Sequence, residues 1–112
     1  MPKPAIRAYS PHTLEAVALL GQMIRLARIE RKITAGELAA RAGISRDLLQ
    51  RIERGNPGCA IGAVFEAAVI TGVKLFEAGR PDMADQLAAT RGRLALLPSA
   101  ARKSRKAVRD DF

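Results

Sequence analysis

The sequence predicts an all-α fold, five helices with disordered N- and C-terminal tails. Three observations lead to it. Apolar residues recur at helical spacing in three separate stretches, within Leu14–Arg28, Ile61–Val69 and Met83–Leu97. Between the first two, a pair of shorter segments carries helix-start and helix-stop signals at close quarters. The aromatics are only Tyr9, Phe65, Phe76 and Phe112, so the core must be aliphatic, and 112 residues suffice for one small domain plus tails but not for a large catalytic pocket.

The paired segments span Thr34 to Gly55 and read as two short helices joined by a tight turn. Thr34 stands at an N-cap with Glu37 three residues on, a capping box in which hydroxyl and carboxylate satisfy two orphan N–H groups. Leu38 and Ala39 point inward, Ala42 follows, and Gly43 supplies the left-handed backbone that turns the chain. Ser45 caps the next helix, which buries Leu49 and Ile52. On its opposite face lie Asp47, Gln50, Arg51 and Arg54 at i, i+3, i+4, i+7, with Arg46 beside them in the first turn. Such a face suits the DNA major groove, because Arg matches guanine O6 and N7 and Gln matches adenine N6 and N7. A charged outer face is equally what any solvated helix shows, so this helix alone leaves both readings open.

Nineteen basic against eleven acidic residues give a net charge of +8, which points to a polyanionic partner and to salt-dependent binding. Cys59 is the only cysteine and His12 the only histidine, a poor catalytic or metal set, and an intrachain disulfide is excluded. With no Ser/His/Asp constellation and no glycine phosphate loop, the chain reads as a non-enzyme that needs no cofactor. No run approaches 18 apolar residues and the N-terminus has no apolar signal core, so a soluble, cytoplasmic protein with no membrane partner is expected.

In chain order, residues 1–10 read as a flexible basic arm, free or reaching DNA, and residues 11–79 as the main domain. A helix from Thr13 to about Arg31 carries Leu14, Val17, Gly21, Ile24 and Arg28 on one face and turns basic in its second half. GNPG, residues 55–58, is a turn. The helix after it places Ile61, Val64, Phe65, Ala68 and Val69 at core spacing, with only Cys59 or Ala60 to cap it. GVKLF, residues 72–76, is open between a short strand and irregular chain. Residues 80–97 form a last helix, started by Pro81, whose Met83, Leu87, Thr90, Leu94 and Leu97 make a narrow heptad seam for its own domain or for a dimer. Residues 98–112 are a basic tail ending Asp110, Asp111, Phe112, either a passive terminus or a docking peptide with Phe112 as anchor.

From Leu20 to Val73 the chain resembles the Xre/Cro type of helix-turn-helix regulators. The matching positions are Leu20-Gly21, Ile24-Arg25, Arg28, Thr34, Leu38-Ala39, Gly43, Ser45, Ile52-Glu53, Gly55, Pro57 and Gly72-Val73, ordered and without a gap. The resemblance implies that Arg28 and Glu53 form a structural ion pair, that Arg46 and Arg51 lead in base contact with Gln50 and Asp47 secondary, unless Asp47 instead orients Arg51 at i+4, and that the GNPG turn and the helix N-terminus after it grip a phosphate. Ala35 lacks the polar side chain some relatives use for a phosphate, which shifts that duty to Lys32, Arg54, the helix N-termini such as that at Ser45, and the tail, while Asn56 either adds a phosphate contact or only forms the turn. Leu48, where relatives are often polar, either touches a thymine methyl or turns inward.

The order GNPG, GVKLF, LALLP, basic run, DDF is similar to HipB-like antitoxins that accompany HipA-like toxin kinases. That likeness implies a homodimer that represses its operon on double-stranded operator DNA and holds a Ser/Thr kinase inactive through Asp110, Asp111 and Phe112. A stand-alone repressor without a toxin partner is the alternative.

Overall fold

The first helix, α1 (Pro11–Glu30), starts earlier than the spacing from Thr13 suggests, because Ser10 caps it and Pro11 occupies a first-turn position where its missing N–H costs nothing. The Thr13 N–H donates to Ser10 Oγ at 3.3 Å, which takes Ser10 out of the arm and into the helix. α1 closes at Arg31, and Lys32 follows with φ 58°, so that the Ile33 N–H reaches back to the Arg28 carbonyl at 3.0 Å. This computed structural model describes residues 8–77 and 80–98. The arm at residues 1–7 and the tail with Asp110, Asp111 and Phe112 lie outside them.

α2 (Ala35–Ala42) and α3 (Arg46–Glu53) form from local capping chemistry. The Glu37 N–H donates to Thr34 Oγ1 at 3.0 Å and the Thr34 N–H donates to Glu37 Oε1 at 3.0 Å. Gly43, at φ 69°, ends α2 in the left-handed region. Ser45 Oγ accepts from the Leu48 N–H at 3.0 Å to open α3. The Thr34 N–H holds the Glu37 carboxyl below the ordinary glutamate range, with the Thr34 hydroxyl and then Arg41 adding to it against slight desolvation. A depressed folded-state value means that this stabilisation is complete at neutral pH and is lost as pH falls through the glutamate range. Thr34→Ala is expected to cost about 1 kcal/mol. Glu37→Gln should lower the neutral-pH melting temperature slightly, since its amide oxygen closes the box without the charge, and should flatten the acid limb of a Tm-against-pH curve; an unchanged acid limb would remove Glu37 from that role.

The core consists of Ile24 from α1, Leu38 and Ala39 from α2, Leu49 and Ile52 from α3, and Ala67 and Ala68 from α4 (Ile61–Thr71). α2 packs on α3 and α4, and α1 packs on both α3 and α4. The inward face of α4 differs from the expected one. Ala68 is buried and Val64 and Phe65 are half-buried as the spacing predicts, but Ile61 is 68 % exposed and Val69 49 %, and Ala67 and Thr71 are buried in their place. The helix is apolar on nearly every side, so spacing alone has no contrast from which to pick its inner face. The buried Thr71 hydroxyl is satisfied by the Ala67 carbonyl at 2.8 Å. Ala60 occupies the N-cap of α4 without a side-chain hydrogen bond, and Gly72 closes the helix at φ 79°.

No strand forms at residues 72–76. Leu75 makes a single isolated bridge, and Phe76 and Glu77 both take positive φ, 62° and 61°, which ends any extended run. The chain divides after Leu75 into two units. In the second, α5 (Arg80–Ala95) stops before Leu97, so the expected seam is helical only as far as Leu94. On it Leu87 and Leu94 are 50 % and 60 % exposed, and the Thr90 hydroxyl is turned back onto the Gln86 carbonyl at 2.7 Å.

Candidate nucleic-acid interface

α3 owes its position to what it buries. Leu49, Ile52 and Glu53 face inward, and this turns Arg46, Asp47, Gln50 and Arg51 outward. Leu48 is half-buried and packs against the core, so the open choice for that side chain resolves inward. Arg51 Nε stands 3.8 Å from Asp47 Oδ2 one turn earlier, with both side chains well exposed. The acid therefore steadies the guanidinium without desolvating it, and the fork stays available to a base edge.

Behind α3 the Arg28 guanidinium grips Glu53 with two parallel bonds, Nε to Oε2 at 2.8 Å and Nη2 to Oε1 at 3.0 Å, while Nη1 donates to the Ile33 carbonyl at 3.0 Å. The side chains are 13 % and 7 % exposed. Glu53's bonds hold the Arg28 guanidinium above its already high ordinary range, against a desolvation that works the other way. Because Arg28 neutralises Glu53, the buried acid subtracts nothing from the positive field around α3.

That field gathers in a cleft of about 420 Å³ lined by Arg25, Arg28, Ala35, Gln50, Glu53 and Arg54. With Arg28 engaged, Arg25 and Arg54 are the cleft's cations without an ion-pair partner among the described residues. The first turn of α2 forms one wall through Ala35, adding the positive end of a helix. Arg54 also lines a neighbouring groove with Tyr9, Leu14 and the turn from Gly55 to Gly58. It thus joins the cleft beside Gln50 to the turn before α4. In that turn Asn56 Oδ1 accepts from the Gly58 N–H at 2.7 Å, so Asn56 shapes the loop with its oxygen and keeps only its amide N–H groups for a phosphate. Ser45 likewise spends an acceptor site on its cap and retains its hydroxyl proton. Arg46 and Lys32 are exposed but line neither cavity.

Arg25 carries no role in the sequence reading beyond membership of a basic helix half. Its signal was its place three residues before Arg28, which makes the two neighbours on one helix surface. That the cleft opens there depends on where α2 and α3 lie, which no local pattern encodes.

Residues 19–81, more than half of the chain, match a family of helix-turn-helix domains. The chain belongs to the helix-turn-helix domain family. As a helix-turn-helix protein it is a DNA-binding regulator of Xre-like kind, with α2 and α3 as the paired helices. No curated protein and no solved structure matches it. Among the described residues no cluster of His, Cys, Asp or Glu could hold a metal ion, and no helix is long and apolar enough to cross a membrane.

Proposed function

We propose that this helix-turn-helix protein is a sequence-specific transcriptional repressor, acting as a homodimer, and the antitoxin of a type II toxin-antitoxin pair that neutralises a HipA-like Ser/Thr kinase and represses the shared operon. The observation that carries the DNA half is the continuity between the exposed Gln50 and Arg51 of α3 and the basic cleft that Gln50 shares with Arg25 and Arg54. Base readers and phosphate-binding cations lie side by side there, as groove entry requires. Arg46, Asp47, Gln50 and Arg51 read bases in this account. Lys32, Ser45, Arg54 and Asn56 hold phosphates, and Arg25 joins them. A single unit reads one half-site, which is why a symmetric pair is invoked.

The antitoxin half rests on the likeness of the LALLP segment, basic run and Asp110-Asp111-Phe112 ending to HipB-like chains. Two experiments separate the halves. In operator binding across a panel of single base-pair changes, Arg51→Ala should lose roughly 1 to 3 kcal/mol and relax preference at one base pair, whereas Arg25→Gln should weaken all sequences alike and lower the salt slope by about 1. A uniform loss for Arg51→Ala would make it a phosphate contact instead. For the partner, a pull-down compares the full chain with one lacking Asp110 to Phe112. A kinase held only by the full chain supports the antitoxin reading, and DNA recovered without any kinase leaves a stand-alone repressor.

A further inference from the structure

α1 is apolar on the side away from the core as well as towards it. Leu19, Met23 and Leu26, spaced four and three apart, make one stripe and are 59 %, 41 % and 58 % exposed. The buried Ile24 and the engaged Arg28 face the other way. Four residues before Leu19 comes Glu15 and four after Leu26 comes Glu30, both exposed, so the stripe has an acid at each end. At 100° per residue, Arg25, Arg28 and Arg31 all lie more than a quarter turn from it.

α5 has a stripe of the opposite sign. Leu87 and Leu94 are 50 % and 60 % exposed, and the exposed Arg91 lies between them on the same line, four residues after one and three before the other. The acids Asp82 and Asp85 fall on the back of that helix. Like faces do not suit each other. Two α1 stripes laid antiparallel set Glu15 against Glu30, and two α5 stripes laid parallel set Arg91 against Arg91; an α1 stripe against an α5 stripe pairs acid with cation.

We infer that the Leu19–Met23–Leu26 stripe of α1 is the docking surface for α5 of a second copy, whose Leu87 and Leu94 cover it and whose Arg91 meets an acid at its end. The inference rests on the homodimer reading above and names the surface that makes it. Exchange about a two-fold axis repeats the contact, so that four helix faces are buried together. That is the way two narrow stripes approach the roughly 1,200 Å² or more that a stable interface needs.

The test measures the monomer–dimer equilibrium of the full chain by analytical ultracentrifugation, with circular dichroism to verify folding. The wild type should dimerise, and Met23→Glu, a change at an exposed position, should raise the dimer dissociation constant roughly tenfold or more without loss of helix signal. Arg91→Glu should weaken the dimer as well, and adding Glu15→Arg with Glu30→Arg to it should restore tight association. A wild-type monomer, a Met23→Glu protein that dimerises normally, or no recovery in the charge-swapped chain would overturn the proposal. An Arg91→Glu chain that dimerises as tightly as wild type would remove Arg91 from the contact and overturn it too. Binding of Met23→Glu to a DNA half-site, read alongside, keeps the two ideas apart. Half-site binding retained with the dimer lost supports the docking surface, and half-site binding absent from wild type and variant alike sinks the DNA-reading function while the ultracentrifuge still decides the surface.

Discussion

Arg28→Ala should lower the unfolding free energy by roughly 3 to 5 kcal/mol, the largest single effect expected in this fold. The change removes two charge-assisted bonds to Glu53, at 2.8 and 3.0 Å, and the bond to the Ile33 carbonyl, and leaves a carboxylate that is only 7 % exposed without its cation. The last effect dominates, because the desolvation already imposed on Glu53 is no longer offset. For a domain of this size each kcal/mol moves Tm by roughly 4 to 8 °C, so the variant should melt at least about 12 °C below wild type in a circular-dichroism scan. A double change, Arg28→Met with Glu53→Leu, should recover much of the loss, since it removes both charges and keeps the volume. Equal melting of Arg28→Ala and wild type would mean that the pair carries no weight in the fold.

This pair shows which parts of the site are legible in the sequence. Arg28 and Glu53 are 25 residues apart, and no periodicity joins them; only the resemblance to Xre/Cro regulators did. The capped ends of α2 and α3 were legible from the residues themselves, because a capping box or a left-handed glycine is complete within four or five positions. The inward face of α4 was legible only in part, since a helix apolar all round offers spacing without contrast: Ala68 is buried as expected, but Ala67 and Thr71 took the core that Ile61 and Val69 were expected to fill. Ser10 and Pro11 carried a helix start that the apolar count from Thr13 passed over. Arg25 became part of the site only when three helices were placed together. Local chemistry was thus readable from the residues, and the meeting of distant segments only where the resemblance supplied it.

The close meeting of α1 with the end of α3 is the basis of the second large effect. At Gly21 an added methyl would lie on the Ile52 carbonyl oxygen and within 3.2 Å of the Glu53 oxygen and 3.3 Å of its carbonyl carbon, all of them backbone atoms that no side-chain rotation can move. Alanine ordinarily favours a helix over glycine by up to about 1 kcal/mol, but here the overlap must be relieved by moving one helix. Overpacking of this kind costs about 1 to 3 kcal/mol. The rigid obstacle puts Gly21→Ala near the upper end, an expected net loss of roughly 2 kcal/mol in urea unfolding. Gly62→Ala is the matched control, since nothing lies within 4 Å of its added methyl, and it should be neutral or stabilising by up to about 1 kcal/mol. The same substitution thus takes opposite signs at two helical glycines. The loss at Gly21 should also reach the DNA face, because the carbonyls it displaces end the helix that carries Gln50 and Arg51 and position the Arg28 to Glu53 pair and Arg54. Operator binding by the folded fraction of Gly21→Ala should therefore weaken, while that of Gly62→Ala stays at the wild-type level. A Gly21→Ala chain that unfolds and binds like wild type would show that α1 and α3 do not touch there, and with that contact would go the geometry of the basic cleft.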